Sequence, residues 1–315
     1  MKDYFAFNLK PQRFITVWIL FLVLFMVPYV YFVLNIKNII QPHQTSTILE
    51  FYGILVLIIV LSYAMIFYMV KLTIEGIEFK GESFVFEGTF GQFIGKFILG
   101  LFLTIITLGI YSPWFITKMQ KFFVDNTSHD SNNLIFGGTA GKLFKIMFFA
   151  TFLPIMALII VLVSIQIKTG SYDQKTVGYY TNLITFVILI PYLYYLYKWM
   201  VNVTFKDYII HWETSFWNSF GKILLEIFLS VITIGIYYPY ARLRLYKYFV
   251  DRTFANSENS RRGFGYELEP QKDFLYIWGQ ILLTIITLGI YYPWAYCNIT
   301  GRILSKTYTE QIVEE

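Results

Sequence analysis

Thr104-Ile-Ile-Thr-Leu-Gly-Ile-Tyr111, followed at once by Ser112-Pro113-Trp114, returns unchanged as Thr284 to Tyr291, followed by Tyr292-Pro293-Trp294. A looser copy, Thr233-Ile-Gly-Ile-Tyr-Tyr-Pro-Tyr240, lies between them. One phrase written three times marks a repeat, and a repeat sets the architecture ahead of any local signal. Outward from the phrase, the copies cover about residues 91–127, 217–253 and 271–307. The first maps onto the second by adding 126 (107 to 233), and the second onto the third by adding 54 (233 to 287). Those offsets align Gly100 with Glu226 and Gln280, and Thr104 with Ser230 and Thr284. They also align Thr107 with Thr233 and Thr287, and Tyr111 with Tyr237 and Tyr291. Positions i, i+4, i+7 and i+11 share one face of an α-helix, so each copy carries a polar stripe along an otherwise apolar helix.

The environment follows from composition. The chain of 315 residues is 57% hydrophobic and 14% charged, whereas soluble domains run near 25% charged. Several apolar windows of about 20 residues match the thickness of a bilayer's hydrocarbon core. The net charge of +5 is spread over loops and helix ends, which reads as the cytoplasmic excess of Lys and Arg and argues against a nucleic-acid partner. Lys2, Lys10 and Arg13 precede an apolar run, Phe14 to Leu34, that is too long for a signal peptide. It reads as a first transmembrane helix with its N-terminus inside.

The predicted fold is an all-α polytopic membrane protein with about seven hydrophobic segments, three repeated broken or re-entrant helices, and short cytoplasmic β-hairpins between them. Residues 1–71 form an N-terminal two-helix hairpin, with helices over Phe14 to Leu34 and Ile48 to Val70, and residues 72–315 form the repeat-containing membrane domain. Leu72 to Glu87 alternates apolar and charged residues around Lys80-Gly81-Glu82 and reads as a hairpin. Strand signals recur at Leu134 to Phe136, Val201 to Trp212 and Phe264 to Leu268, and an acidic tail ends the chain. Further helices cover about Leu143 to Ile167 and Tyr179 to Met200. With the N-terminus inside, re-entrant copies leave only Lys37, Lys168 and Lys175 outside. Single crossings instead export Lys118, Lys121, Lys142, Lys198 and Lys206, so the re-entrant scheme suits the positive-inside rule better. The return limb from Pro113 to Val124 is about 18 Å long as a helix, too short to recross, and a basic helix lying in the interface fits it equally.

No catalytic constellation is present, and no enzyme activity, cofactor or metal is expected. Gly137-Gly-Thr-Ala-Gly-Lys142 fails the phosphate-loop pattern at Phe136 and Leu143. The histidines His43, His129 and His211 are scattered, and the single Cys297 excludes an internal disulfide. Asp125 and Asp251 share one repeat position and read as local turn or capping residues. The candidate substrate path is the stripe itself: Glu226, Gln280, Thr104, Ser230, Thr284, Thr107, Thr233, Thr287, Tyr111, Tyr237 and Tyr291. Candidate lipid-headgroup contacts are Lys118, Lys121, Arg242, Arg244 and Lys247 beside interfacial aromatics.

The Gly-Ile-Tyr-[Tyr/Ser]-Pro-[Trp/Tyr] corner, the basic helix after it, the Phe-Val-Asp-[Asn/Arg]-Thr end and the strand followed by Gly-Thr-x-Gly resemble the YjgN-like bacterial inner-membrane proteins, a domain-of-unknown-function family. The resemblance covers most of the chain from about Phe84 and implies a bacterial cytoplasmic membrane, with no activity attached. The third copy departs from it: Ala295-Tyr-Cys-Asn298 lacks the basic pair, and Ser305 replaces the aspartate.

Two functions compete. A transporter or channel for a small or amphipathic solute would use the stripes as a hydrated path, Glu226 at its centre, because a carboxylate at that depth costs about 2.5–3.5 kcal/mol and needs a reason. The other is a non-transporting membrane protein that organises anionic lipid or protein partners through its basic cytoplasmic face. The stripes serve helix packing equally well, and Lys222, four residues before Glu226, is placed to pair with it.

Overall fold

The structure, a computed structural model, describes residues 1–40, 45–169 and 174–312; His43 and Pro42 of the first linker lie outside them. In chain order the elements are β1 (Lys2–Phe7), α1 (Pro11–Ile40), α2 (Thr45–Gly76), β2 (Ile77–Phe79), β3 (Glu82–Ser83), β4 (Val85–Phe86), α3 (Phe90–Ile106) and α4 (Ser112–Asp125). There follow β5 (Thr127–His129), β6 (Asn132–Phe136), α5 (Ala140–Met147), a π-helical turn (Phe148–Phe152), α6 (Leu153–Thr169) and α7 (Gln174–Met200). The last third holds β7 (Val203–Phe205), β8 (Tyr208–Trp212), α8 (Phe216–Ile232), α9 (Tyr238–Val250), β9 (Thr253–Asn256), β10 (Arg261–Tyr266), α10 (Pro270–Ile286), α11 (Tyr292–Leu304) and β11 (Thr307–Ile312).

The strands overturn the all-α expectation. They are not separate hairpins but one antiparallel sheet of 11 strands, ordered β3-β2-β1-β11-β10-β9-β8-β7-β6-β5-β4. Its two ends, β3 and β4, are consecutive in the chain and separated only by Phe84, so the sheet bends round until it nearly closes as a barrel. Phe84 donates its N–H to Ile77 O at 3.0 Å, and Glu87 donates to Asn126 O at 2.9 Å, so both sides of the junction are held. This near-closure leaves as edges only β3 and β4, two residues each, where longer exposed edges would invite pairing with other chains. β1 and β11 lie in the basic segment before the first helix and at the acidic tail, where the sequence predicts no strand. β1 pairs with β11 through Lys2↔Glu310 and Tyr4↔Tyr308, and with β2 through Phe5↔Phe79. A strand whose partner lies at the other end of the chain gives no local signal beyond its alternation.

The ring encloses a cavity of about 500 Å³, whose lining includes the rings of Phe5, Phe79, Phe84, Phe205 and Phe264. Its three cations are paired: Lys80 with Asp3 at 3.0 Å, Lys206 with Asp130 at 2.5 Å, and Arg262 with Asp3. Lys80 and then Arg262 hold the Asp3 carboxyl below its ordinary range. On the outer rim, Lys306 and then Lys272 hold Glu269 down to about 2 from an ordinary 4.5. A depressed carboxyl stabilises fully above its unfolded value and loses that contribution as pH falls through the folded one. The melting temperature of the detergent-solubilised chain is therefore expected to fall between about pH 4.5 and pH 2, and Glu269→Gln should flatten part of that fall.

Every helical excursion begins and ends at the ring. α1 leaves and α2 returns; α3 and α4, α5–α6 and α7, α8 and α9, and α10 and α11 do the same. Neighbouring hairpins pack in that order, and α11 packs back on α1. There Trp18 Nε1 donates to Gly289 O at 2.8 Å and stacks on Tyr292. Three helices among the described residues are long and apolar enough to cross a membrane, Pro11–Asn35, Tyr52–Gly76 and Ala140–Lys168, not the seven segments expected. The repeat helices α3, α8 and α10 have 17 residues each, about 25 Å, which is less than a hydrocarbon core of about 30 Å.

Local chemistry explains where these elements start and bend. Thr89 caps α3: its Oγ1 accepts the Gln92 N–H while the Gln92 side chain accepts the Thr89 N–H, a reciprocal capping box. Thr139 caps α5 one way only, its Oγ1 accepting the Lys142 N–H. The glycines before these threonines are needed for room, since a Cβ on Gly88 or Gly138 would meet the ring of Phe86 or Phe136 at 2.5 or 2.3 Å. The segment Leu72 to Gly76, expected in a hairpin, continues α2. The π-helical turn ends two residues before Pro154, whose ring would collide with the carbonyl of Ala150 in a regular helix.

Candidate functional site

The repeated phrase builds one corner three times. Helix α3 ends at Thr107, then Leu108 and Gly109 take left-handed conformations (φ 48° and 89°); Ile234 and Gly235, and Leu288 and Gly289, do likewise. Gly109 N–H reaches Thr104 O at 2.8 Å and Leu108 N–H reaches Ile105 O at 3.1 Å, the paired bonds of a Schellman ending. The corner is thus made by the Leu/Ile-Gly step before any proline. Pro113, Pro239 and Pro293 sit in the first turn of α4, α9 and α11, where a missing N–H costs nothing; they start the returning helix and do not break the outgoing one.

The stripe hydroxyls serve this corner. Thr104, Ser230 and Thr284 donate to the carbonyls of Gly100, Glu226 and Gln280 at 2.7–2.8 Å. Thr107, Thr233 and Thr287 donate to Leu103, Leu229 and Leu283 at 2.8 Å, and each accepts the N–H of Tyr111, Tyr237 or Tyr291 at 3.0 Å. All six hydroxyls therefore bond to their own helix or corner. Thr233→Val should cost about 1 kcal/mol by orphaning the Tyr237 N–H, while Thr233→Ser keeps the bond; thermal unfolding in detergent would separate the two.

Beneath the corner lies a polar contact that spans the hairpin. In the second copy Glu226, fully buried, meets Lys222 Nζ at 2.6 Å and Arg244 Nε at 3.2 Å. Tyr237 OH donates to its other oxygen at 2.9 Å and accepts from Arg244 Nη1 at 2.9 Å. In the third copy Gln280 Oε1 accepts from Tyr291 OH at 3.2 Å and from Asn298 at 3.0 Å. A second contact sits nearer the ring, at 93/122, 219/248 and 273/302 under the same offsets. It is Phe93 against Phe122, then Ser219 Oγ with Tyr248 OH at 2.9 Å, then Asp273 with Arg302 Nε at 2.6 Å. Lys306 completes the Asp273 pair at 2.7 Å. The reading of the stripe missed Arg244, Asn298 and this entire second contact. Applying the offsets 126 and 54 to the returning helix would have found them.

The first copy keeps the donors and lacks the acceptor. Gly100 replaces Glu226, and the ring of Phe115 fills the space, its Cδ2 lying 2.1 Å from where a Cβ on Gly100 would be. The second and third copies have Ala241 and Ala295 at that position. Above Phe115 opens a cavity of about 370 Å³ lined by Lys96, Leu99, Gly100, Tyr111, Lys118, Lys121, Phe122, Asp125 and Asn126. Lys118 donates to Tyr111 OH at 2.8 Å, as Arg244 does to Tyr237.

The expected headgroup residues divide. Lys118, Lys121 and Arg242 are exposed. Arg244 is committed to Glu226, and Lys247 to Asp251 at 2.8 Å and to Tyr266 O at 2.8 Å. Asp125 and Asp251 do not cap locally: their Oδ1 atoms accept the N–H of Phe136 at 2.8 Å and of Tyr266 at 3.1 Å, tying the end of each returning helix to the strand that follows.

Residues 81–205, which include the first hairpin and its cavity, match the family model described as "Bacterial protein of unknown function (DUF898)". "Inner membrane protein YjgN" of Escherichia coli (strain K12) is 31% identical over 117 residues, 37% of this chain and 27% of that protein. The protein of the same name from Escherichia coli O157:H7 is 34% identical over 71 residues, 22% of this chain and 18% of its own length. The aligned stretches thus span about a quarter or less of the curated relatives. No solved structure matches. Over residues 81–205, with the corner, the basic return helix and the strand before Gly-Thr-x-Gly all in place, the chain is similar to the DUF898, YjgN-like proteins.

Proposed function

We propose that this is a non-transporting protein of a bacterial inner membrane that holds anionic lipid against the basic faces of its helical hairpins, with the strand ring on the cytoplasmic side. One observation carries the reading: the stripe offered as a solute path is spent internally, its hydroxyls on backbone carbonyls and Glu226 on Lys222, Arg244 and Tyr237. Lys118, Lys121 and Arg242 meanwhile stand exposed along the returning helices α4 and α9.

The exposed surface supports immersion. Ile98, Leu99, Phe102, Ile105 and Ile106 form one uncovered face of α3, and Leu224, Leu225, Phe228, Val231 and Ile232 form its counterpart on α8. At the corner tips Leu108 and Ile234 are each 93% exposed although a β-branched or bulky residue in a left-handed conformation costs roughly 1–2 kcal/mol. An apolar tip facing hydrocarbon offsets that cost. Each hairpin would dip from the cytoplasmic side and return, leaving its lysines at headgroup depth, where each contributes about 1 kcal/mol of attraction to an anionic leaflet.

Solute transport along the polar faces is the competing reading, and one preparation tests both. In proteoliposomes of mixed phosphatidylglycerol and phosphatidylcholine, reversing Arg242, Lys142 and Lys145, all exposed, should reduce the anionic lipid co-purifying with the chain several-fold, with Glu226→Gln leaving it unchanged. Solute flux abolished by Glu226→Gln would overturn the proposal in favour of transport.

A further inference from the structure

We infer that the cavity of the first hairpin is a binding site for a phosphate group, which takes the place that the Glu226 carboxylate holds in the second. This rests on the lipid-holding reading and deepens it to one site.

The second copy supplies the template. There a buried carboxylate is gripped by a lysine four residues before it, a tyrosine at the corner and an arginine on the returning helix. Subtracting 126 turns Lys222, Tyr237 and Arg244 into Lys96, Tyr111 and Lys118, and all three line the cavity. The donor set is kept while the acceptor position has become Gly100. Phe115 blocks the return of any side chain there, so the acceptor must come from outside the chain.

The charge balance points the same way. Lys121 adds a third ammonium to the lining, against one carboxylate, Asp125, whose Oδ1 already accepts the Phe136 N–H. The corresponding pair in the second copy, Lys247 and Asp251, closes at 2.8 Å. Among the described residues Lys96 and Lys121 have no carboxylate within ion-pair distance. Lysine ammoniums grouped around a phenol suit the oxygens of phosphate, each as a movable point charge. About 370 Å³ is far more than a carboxylate needs and accommodates a phosphate with its substituent. The cavity wall at Leu99 continues into the uncovered apolar face at Ile98 and Phe102, the side from which an acyl-bearing headgroup would enter.

The test uses the full chain in maltoside micelles, which carry no phosphate, titrated with dioctanoyl-phosphatidylglycerol and separately with inorganic phosphate, and read by calorimetry and by ³¹P line broadening. One equivalent of the lipid should bind, and Lys96→Gln/Lys118→Gln should weaken it tenfold or more. Gly100→Glu/Phe115→Ala rebuilds the second copy's acceptor and should abolish binding by occupying the site from within. Lys272→Gln, whose ammonium pairs with Glu269 outside this cavity, should leave this binding unchanged. Inorganic phosphate that competes with the lipid supports the shared phosphate chemistry; inorganic phosphate bound alone, with the same variant dependence, assigns the site to a free phosphate compound. Absence of both ligands, or binding indifferent to Lys96→Gln/Lys118→Gln, overturns the inference. If these variants are silent while reversal at Arg242, Lys142 and Lys145 still strips anionic lipid, the pocket falls and the broader reading stands.

Discussion

Removing both cations from Glu226, as Lys222→Met/Arg244→Leu, is expected to lower the unfolding free energy by about 3–5 kcal/mol, the usual cost of leaving a buried charge uncompensated. Glu226 is fully buried, and its oxygens are held by Lys222 at 2.6 Å, Arg244 at 3.2 Å and Tyr237 at 2.9 Å. Without the cations one phenol must satisfy a carboxylate in a medium that solvates it poorly. Adding Glu226→Gln to that background should restore most of the loss, because the third copy already runs on a neutral acceptor, Gln280, with Tyr291 as donor. Thermal and urea unfolding in detergent would measure the three variants. A triple variant no more stable than the double would show that the charge is not what the cations are for. The asymmetry matters for function, since a carboxylate bound this fully is a fixed strut between α8 and α9 and has no oxygen left for a passing solute.

The second large effect concerns the first hairpin. Gly100→Ala should destabilise by about 1–3 kcal/mol through overpacking, even though alanine is worth roughly 1 kcal/mol more than glycine inside a helix. The new methyl would lie 2.1 Å from Phe115 Cδ2 and 2.6 Å from Cε2, far inside contact distance, and Phe115 is itself packed against Phe97, which is fully buried. Gly221 and Gly279, by contrast, have open space where a Cβ would be, so alanine at either should be neutral or mildly stabilising. The pair Gly100→Ala/Phe115→Ala should recover at least 1 kcal/mol relative to the sum of the singles, as expected for residues that share one space. Additivity within a few tenths would mean that Phe115 moves aside freely. The three copies have solved this space differently: glycine faces phenylalanine in the first, glutamate faces alanine in the second, and glutamine faces alanine in the third.

How much of this was legible depends on the range of the contact. The offsets 126 and 54 aligned Glu226 with Gly100 and Gln280 and put the threonines on one face, because helical spacing is a property of neighbours. The pair Lys222–Glu226 was readable for the same reason, as an i, i+4 contact. The direction in which the hydroxyls point was not readable. Thr107 and Thr233 bond within four residues, but whether a threonine does so or lines a cavity depends on what packs beside it. Asp125 and Asp251 looked like local caps since sequence shows only the residues next to them, whereas their N–H donors lie 11 and 15 positions on.

By itself the sequence determined that this chain carries apolar helices of membrane length, turns three of its helices at identical Gly-Ile-Tyr corners, and repeats a polar stripe. Those are consequences of hydropathy, helical period and the left-handed residues a corner requires. Only the tertiary structure decided that short, separated strands join into one nearly closed ring, since each pairing is a long-range hydrogen-bond choice with no local code. It alone brought Arg244 to Glu226 and Asn298 to Gln280 across each corner. And it alone revealed that Phe115 occupies the acceptor's place above Gly100, leaving Lys96, Tyr111 and Lys118 around an open cavity: a helix face is set by spacing, but what fills the space in front of it is set by the residues that fold against it.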